Sequence, residues 1–576
     1  IGVKISIEEY NRKCRETVMR FTDQWNDLTE KMGYWVDLEN PYITYKNEYI
    51  ETLWWLLKQL YDKDLLYKGY TIQPYSPAAG TGLSSHELNM PGTYRDVRDT
   101  TVVAMFKVKN VVETRHALSL QPNTYILAWT TTPWTLPANS ALTVGANIDY
   151  VLVQTFNPYT YEPVNVMLAK ALVGKYFAEK GENGDFEAYR NGDHKVLPWK
   201  IVNEFKGREL EGVEYEQLLP FVSPLSAGEG LGVRSAFRVI LGDFVTTEDG
   251  TGVVHTSPTF GADDFRVAQQ NGIPPIMVTD STGKEVPVVN RKGQFVREVG
   301  SQLAKKVQEY GIKTHRPLGE DDFYVKNYTN EDEKSADYKT TDEIIAIILK
   351  MEGKAFRVER YEHTYPHCWR TDKPVLYYPL DSWFIKTTAM KDRLVALNKT
   401  INWKPESTGT GRFGNWLENL VDWNLSRSRF WGTPLPVWRT EDGTEEVCIG
   451  SLKELEDKIV SSQNAKPQPL TAEQIQKNQR YLDLLKEGKE DLHRPFVDEI
   501  YLVSPSGKVM FREPDLIDVW FDSGAMPYAQ WHYPFENQEV FKDSYPADFI
   551  SEGVDQTRGW FFTLHAIAGM LFDSVA

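Results

Sequence analysis

The chain has 576 residues, 41% hydrophobic and 25% charged, an ordinary globular composition that excludes disordered and fibrous classes and leaves room for several domains of roughly 100–200 residues each. Its formal net charge of −17 argues against a protein that coats nucleic acid through an evenly basic surface, because phosphate neutralisation needs clustered Lys and Arg. No apolar run of about 18 residues and no basic leader ahead of an apolar core occur, so membrane-spanning and secretory classes fall away and a cytoplasmic chain is expected.

The spacing predicts helix from Ser6 to about Asp62, opened by Ser6 as cap with Glu8 and Glu9 in the first turn. Ile50, Leu53, Trp54, Leu57 and Leu60 recur there at helical intervals. Residues 70–82 predict a short strand and a loop. From Thr100 to about Val286 β-formers come in short runs, among them Val102–Val108, Tyr125–Trp129 and Tyr150–Val153. Phe237–Val245 and Gly252–His255 read as two strands about a turn at Asp249-Gly250. Gly228-Glu229-Gly230-Leu231-Gly232 follows no strand and opens no helix, so a loop is expected and not a phosphate cradle. Acids clustered from Glu320 to Glu333 predict a solvated surface or linker. Thr341 and Asp342 are expected to cap a helix ending near Gly353, and Thr471 with Gln474 to form a capping box. The last stretch alternates strand and helix signals and ends in an apolar helix, Arg558–Ala576, with no Gly, Asn or Pro stop. With Ile1 in place of Met at the start, both ends read as cut, and the chain is expected to be an internal piece of a longer protein.

Three clusters carry chemistry. Trp129–Asn139 (Trp-Thr-Thr-Thr-Pro-Trp-Thr-Leu-Pro-Ala-Asn) follows an apolar strand; its threonines are either β-branched residues ending that strand or a row of hydroxyls able to bind a polar ligand or a water. His255-Thr256-Ser257-Pro258 precedes Gly261-Ala262-Asp263-Asp264. Here an imidazole able to orient a water and a carboxylate suited to an ammonium can meet, or one aspartate simply caps the following helix. The third cluster is Asp518–Gly524 with Glu552-Gly553-Val554-Asp555-Gln556-Thr557-Arg558-Gly559-Trp560. Glu552, Asp555 and Gln556 are expected at a strand-to-helix junction, where open parallel sheets bind nucleotides, or as plain helix caps.

Together with Asn424–Pro436 (Ser426-Arg427-Ser428-Arg429, Trp431-Gly432), these runs closely resemble the isoleucyl members of the class I aminoacyl-tRNA synthetases over essentially the whole length. The resemblance implies an α/β multidomain fold: a partial Rossmann-like catalytic domain with an inserted β-rich editing domain and a connective region. It assigns residues 1–105 to the catalytic and connective portion, 106–325 to editing, 326–510 to the connective region and 511–576 to the second half of the catalytic domain. The activity implied is ATP-dependent charging of tRNA(Ile) with isoleucine, using Mg2+, plus hydrolytic editing of valyl-tRNA. In editing, Asp264 would pair with the α-ammonium, Thr130, Thr131, Thr132 and Thr135 would bind the terminal adenosine and aminoacyl group, His255 would exclude isoleucine or place the water, and Asn139 would support the loop. Glu552, Gly553, Asp555, Gln556 and Trp560 would line the site for the aminoacyl-adenylate. The family's ATP signatures, His-Ile-Gly-His and Lys-Met-Ser-Lys-Ser, are both absent, so only the editing site is expected intact and efficient formation of aminoacyl-adenylate is not expected. Some family members hold zinc with two Cys-x-x-Cys pairs; those positions read Ser76, Ala79, Cys368 and Thr371 here, and one thiol of four predicts no zinc. Cys14 and Cys448 offer no disulfide framework. A monomer is expected, with no membrane partner. The alternatives are a valyl- or leucyl-type synthetase, another His and Asp hydrolase, or a non-catalytic tRNA-binding relative.

Overall fold

A strand whose every side chain is apolar must be covered on both faces, because successive side chains point to opposite sides. In the strand Tyr94–Lys107 the run Val102-Val103-Ala104-Met105-Phe106 is buried throughout. Its alternate members separate: Val102, Ala104 and Phe106 join one hydrophobic cluster, Val103 and Met105 another. Asp149–Phe156 repeats the division, with Tyr150 and Leu152 opposite Val151 and Val153. The computed structural model describes residues 5–83, 85–88, 90–109, 122–190, 192, 194–222, 236–280 and 285–576; the glycine-rich run Gly228–Gly232 lies outside them. The chain forms two units, one of Ile1–Tyr70 with Asp381–Ala576, the other of Thr71–Leu380.

In the second unit a six-stranded sheet runs in the order Ala355–Pro366, Tyr94–Lys107, Thr124–Thr130, Pro163–Ala169, Asp149–Phe156, Lys200–Lys206. It is antiparallel except between Thr124–Thr130 and Pro163–Ala169. The strands Arg238–Leu241 and Val253–Thr256 do not form the expected hairpin. Ala141–Val144 lies between them, parallel to the first and antiparallel to the second. The turn signal is genuine, with Gly250 at φ +70°, but Leu142 and Val144 are fully buried in the main cluster, so core burial selects the distant strand over the local pairing.

The acidic stretch Glu320–Glu333 is not a linker. Phe323 and Val325 within it are buried, and Arg316 pairs with Asp322 and Glu331. The following helix, Thr341–Met351, is capped one residue earlier than expected, by Thr340 in a two-way exchange with Glu343. Thr341 and Asp342 point inward instead, to the Tyr324 carbonyl and the Trp134 N–H.

The first unit opens with three helices where one continuous pattern was expected: Ile7–Val18, Thr22–Met32 and Asn47–Asp62. Ser6 caps the first through Glu9 N, and Gly33, at φ +80°, closes the second. Asn47–Asp62 is buried on two faces, with Leu53, Leu57 and Leu60 in one cluster and Ile50 and Trp54 in another with Trp438. The strands Glu446–Cys448, Val437–Thr440, Val509–Arg512 and Leu502–Val503 form an antiparallel sheet, and Thr471 with Gln474 caps Ala472–Lys486 as predicted. At the end of the chain the helix Trp560–Ile567 and a wider turn at Ala568–Phe572 do stop, on Asp573 at φ 54°, since aspartate tolerates the left-handed region. Among the described residues no helix is long and apolar enough to cross a membrane.

Candidate active site

The strand Thr124–Thr130 delivers the threonine row to its own end. Pro133 cannot continue the ladder, having no N–H, and its fixed φ starts the short helix Pro133–Ala138. The row folds on itself: Thr130 Oγ1 accepts from Thr132 N at 3.1 Å and lies 3.3 Å from Thr132 Oγ1. Thr131 is half-buried beside them. Asn139 ties off the far end, donating to the Ala141 carbonyl and accepting from the Tyr215 hydroxyl, both at 2.8 Å.

A side-chain bond joins the first two clusters, Thr135 Oγ1 to His255 Nε2 at 2.9 Å, both residues buried. It fixes the tautomer by elimination. Thr135 has one hydroxyl proton and donates it to the Thr132 carbonyl at 2.8 Å, so toward His255 it can only accept, and the imidazole carries its hydrogen on Nε2. Nδ1 is then a buried lone pair, and it meets no partner among the described residues. Burial holds His255 down to about 4, so the ring is neutral at pH 7. Among the described residues the buried Ser257 Oγ and Thr259 Oγ1, in the loop just beyond, also meet no partner. Buried polar atoms left in this state suit a bound water or ligand.

Asp264 sits in the helix Ala262–Gln270, but neither aspartate caps it, contrary to expectation. Asp264 turns back to accept the Ser257 N–H at 2.8 Å, and Asp263 pairs with Arg266 on the surface. Burial pushes the Asp264 carboxyl up to about 7, the Ser257 N–H opposing and Asp263 adding to the rise. Gly261 makes room for this fold-back, as a Cβ there would lie 2.8 Å from the carboxyl carbon and one oxygen. No hydrogen bond joins Asp264 to His255 or the threonines; the link runs through the His255–Asp264 loop.

The third cluster is built differently. No strand leads into Glu552; residues 549–553 are coil running into the short helical turn Val554–Arg558, so the expected strand-to-helix junction is absent there. Glu552, Gly553 and Asp555 are exposed. Gln556 donates to Asp555 at 3.1 Å and accepts from Trp560 N at 3.2 Å, and Trp560 Nε1 donates to the Ser523 carbonyl at 2.9 Å. Glu552 and Trp560 line a cavity of about 320 Å³ with Met526, Gln530, Tyr545 and Phe549. Asp518 accepts from Trp520 N at 3.3 Å as a helix cap and binds Arg427 and Trp423.

At the four positions compared with a zinc site, a single thiol, Cys368, is buried near Leu83 and Val375. Burial pushes the thiol up, but the Thr371 and Ser76 hydroxyls and nearby N–H groups hold it below its ordinary value. One sulfur with two hydroxyls does not fit a structural zinc site.

Sequence reasoning missed Tyr215 and the inward contact of Asp342. Each acts through a bond to distant chain that no local pattern announces.

The family model of class I tRNA synthetases (I, L, M and V) matches residues 2–575, and the chain belongs to that family. The isoleucine–tRNA ligase of Cytophaga hutchinsonii is 62% identical over 584 residues, covering 100% of this chain and 48% of the relative. That of Bacteroides fragilis (strain YCH46) is 58% identical over 589 residues, covering 100% of this chain and 49% of the relative. The chain thus spans about half the length of the curated relatives it matches. Among solved structures, the crystal structure of GlLeuRS-CP1 aligns with 45% of this chain and 99% of its own at a TM-score of 0.24 and 11% identity, too weak a likeness to carry argument.

Proposed function

We propose that this chain is the editing and partial catalytic portion of an isoleucine–tRNA ligase, and that its own activity is hydrolysis of valyl-tRNA. Residues 106–325 would be the editing domain, 326–510 the connective region, and 1–105 with 511–576 the catalytic part. The observation that carries the reading is the Thr135–His255 bond at 2.9 Å, which leaves His255 Nδ1 as a buried acceptor in the same loop system as Asp264.

The need for such a site follows from a limit of selectivity. Valine is one methylene smaller than isoleucine, and a pocket that accepts isoleucine rejects valine by only about 1–3 kcal/mol, as is known for isoleucyl enzymes as a class. A second, smaller pocket then removes the error. In it the ionised Asp264 pairs with the α-ammonium of the misattached valine. Thr130, Thr131, Thr132 and Thr135 bind the terminal adenosine and the aminoacyl group, and Asn139 supports their loop. His255 accepts a hydrogen bond at Nδ1 from the attacking water and narrows the pocket against isoleucine. Water oxygen bonds to the ester carbonyl carbon, the bond from that carbon to the ribose oxygen breaks, and the water's proton ends on the ribose oxygen, giving valine and free tRNA. Deacylation draws on water and these side chains; the proton passes through a ribose hydroxyl of the substrate or through a side chain. ATP and Mg2+ belong to the charging reaction, for which Glu552, Gly553, Asp555, Gln556 and Trp560 would line the adenylate pocket. Among the described residues no three His, Cys, Asp or Glu side chains converge as metal ligands.

The test is deacylation of valyl-tRNA(Ile) and isoleucyl-tRNA(Ile) by the chain. Valyl-tRNA should be consumed and isoleucyl-tRNA left intact. Binding of acylated tRNA without turnover would favour a non-catalytic relative, and equal consumption of both would favour an unselective hydrolase.

A further inference from the structure

The threonine turn is held from outside by a carboxylate with no place in the mechanism above. Trp134 N, the second residue of the helix Pro133–Ala138, donates to Asp342 Oδ1 at 2.9 Å. Asp342 lies 208 residues further along the chain and is 2% exposed. Its other oxygen accepts from Lys326 Nζ at 3.3 Å, and Lys326 also reaches Asp99 at 2.8 Å and lies over the Tyr365 ring. His363 Nε2 is 3.3 Å from the same Asp99 oxygen. A carboxylate at the first turn of a short helix satisfies an N–H that the helix cannot. The next residue is Thr135, whose hydroxyl meets His255, and the Trp134 ring packs edge-on to Phe260 in the His255–Asp264 loop, 5.0 Å between centroids.

We propose that Asp342 is a positioning residue for deacylation: by accepting the Trp134 N–H it fixes the turn that presents Thr135 to His255. The proposal rests on the deacylase reading for its effect on rate, but the clamp itself is a separate physical claim. Lys326, held above its ordinary value by Asp342 and Asp99 against the opposing effect of burial, keeps the carboxylate aimed. Asp342 and Lys326 also line a cleft of about 450 Å³ with Asp99, Thr100 and Tyr365, so a small anion can reach the space that the side chain leaves when removed.

The experiment compares the unsubstituted chain with Asp342→Ala, Asp342→Asn and Asp342→Leu by two readouts: hydrogen exchange over residues 132–139, and kcat and KM for valyl-tRNA hydrolysis. Losing the acceptor should speed exchange at the turn and lower kcat roughly ten- to a hundredfold with KM within about twofold. Asn retains an acceptor oxygen and should keep exchange and kcat close to those of the unsubstituted chain. Leu matches the shape without an acceptor and should behave like Ala, which covers the case in which the smaller residue does not fold. Sodium formate should slow exchange and restore part of kcat in Asp342→Ala and leave the unsubstituted chain unchanged. Unchanged exchange in both Ala and Leu overturns the clamp, as does loss of kcat that neither Asn nor formate relieves. If exchange responds as stated while the unsubstituted chain hydrolyses no valyl-tRNA, the clamp stands and the deacylase reading falls.

Discussion

The two groups of candidate residues differ in how far the protein itself fixes them. Around His255 several polar groups are held by bonds within the protein, Thr135 to His255, Asn139 to Tyr215 and Asp264 to Ser257, while His255 Nδ1 keeps a buried lone pair. Around Glu552 the acids are exposed on coil and the turn that follows it, and Trp560 is anchored through a backbone carbonyl. A site whose groups are held before substrate arrives can act by geometry and electrostatics without reorganising. Exposed groups, of which Glu552 and Trp560 line a cavity, depend on what they face. The same residue types, acids beside Gly and an aromatic, thus give a pre-bonded cluster in one place and exposed groups in the other.

Substitutions can break or sharpen this contrast. The largest stability loss is expected from Thr135→Val, which strands the buried His255 Nε2–H and should cost about 1–3 kcal/mol by urea unfolding; a cost near zero would mean that the two clusters are not coupled. Gly261→Ala comes next. Its Cβ would meet the Asp264 carboxyl at 2.8 Å, so valyl-tRNA hydrolysis should fall by roughly tenfold while stability drops by about 1 kcal/mol. Smallest are Glu552→Ala and Asp555→Ala, expected within about 0.5 kcal/mol of the unsubstituted chain because both side chains are exposed.

The two buried groups should also leave opposite signatures in pH. His255 is held down to about 4 from 6.5, so between those values the unfolded chain binds the extra proton and its contribution to stability falls as pH drops through that window. Asp264 is pushed up to about 7 from 3.8; the folded chain keeps the proton there, and stability falls as pH rises from 3.8 to 7. Since the ammonium of the substrate needs the ionised carboxylate, kcat/KM for deacylation should climb with pH, with its midpoint near 7, and level off above that. Asp264→Asn should remove that inflection.

What could be read from the sequence was what neighbouring residues decide. Ser6 and the Thr471–Gln474 box were legible because a cap and its helix lie within four residues. The apolar runs announced their strands because burial on two faces leaves no polar alternation. The insertion of Ala141–Val144 between Arg238–Leu241 and Val253–Thr256 was not legible, since pairing across a hundred residues is settled by the core and not by the turn between the flanking strands. Asp342 was misread for the same reason: at the start of a helix an aspartate looks like a cap, and only the folded chain brings Trp134 to it. The strand expected before Glu552 failed because acids and Gly can sit in coil as readily as at a junction.

The central claim is that the pocket of His255 and Asp264 is the working site of this chain and that the wall around Glu552 takes no part in its own hydrolysis. It is tested most directly by measuring valyl-tRNA deacylation by the unsubstituted chain, Asp264→Ala and Glu552→Ala side by side. Loss of the ammonium's partner should lower kcat/KM about a hundredfold or more, while Glu552→Ala should stay within about twofold. Equal rates for the unsubstituted chain and Asp264→Ala, or a loss confined to Glu552→Ala, would contradict the account.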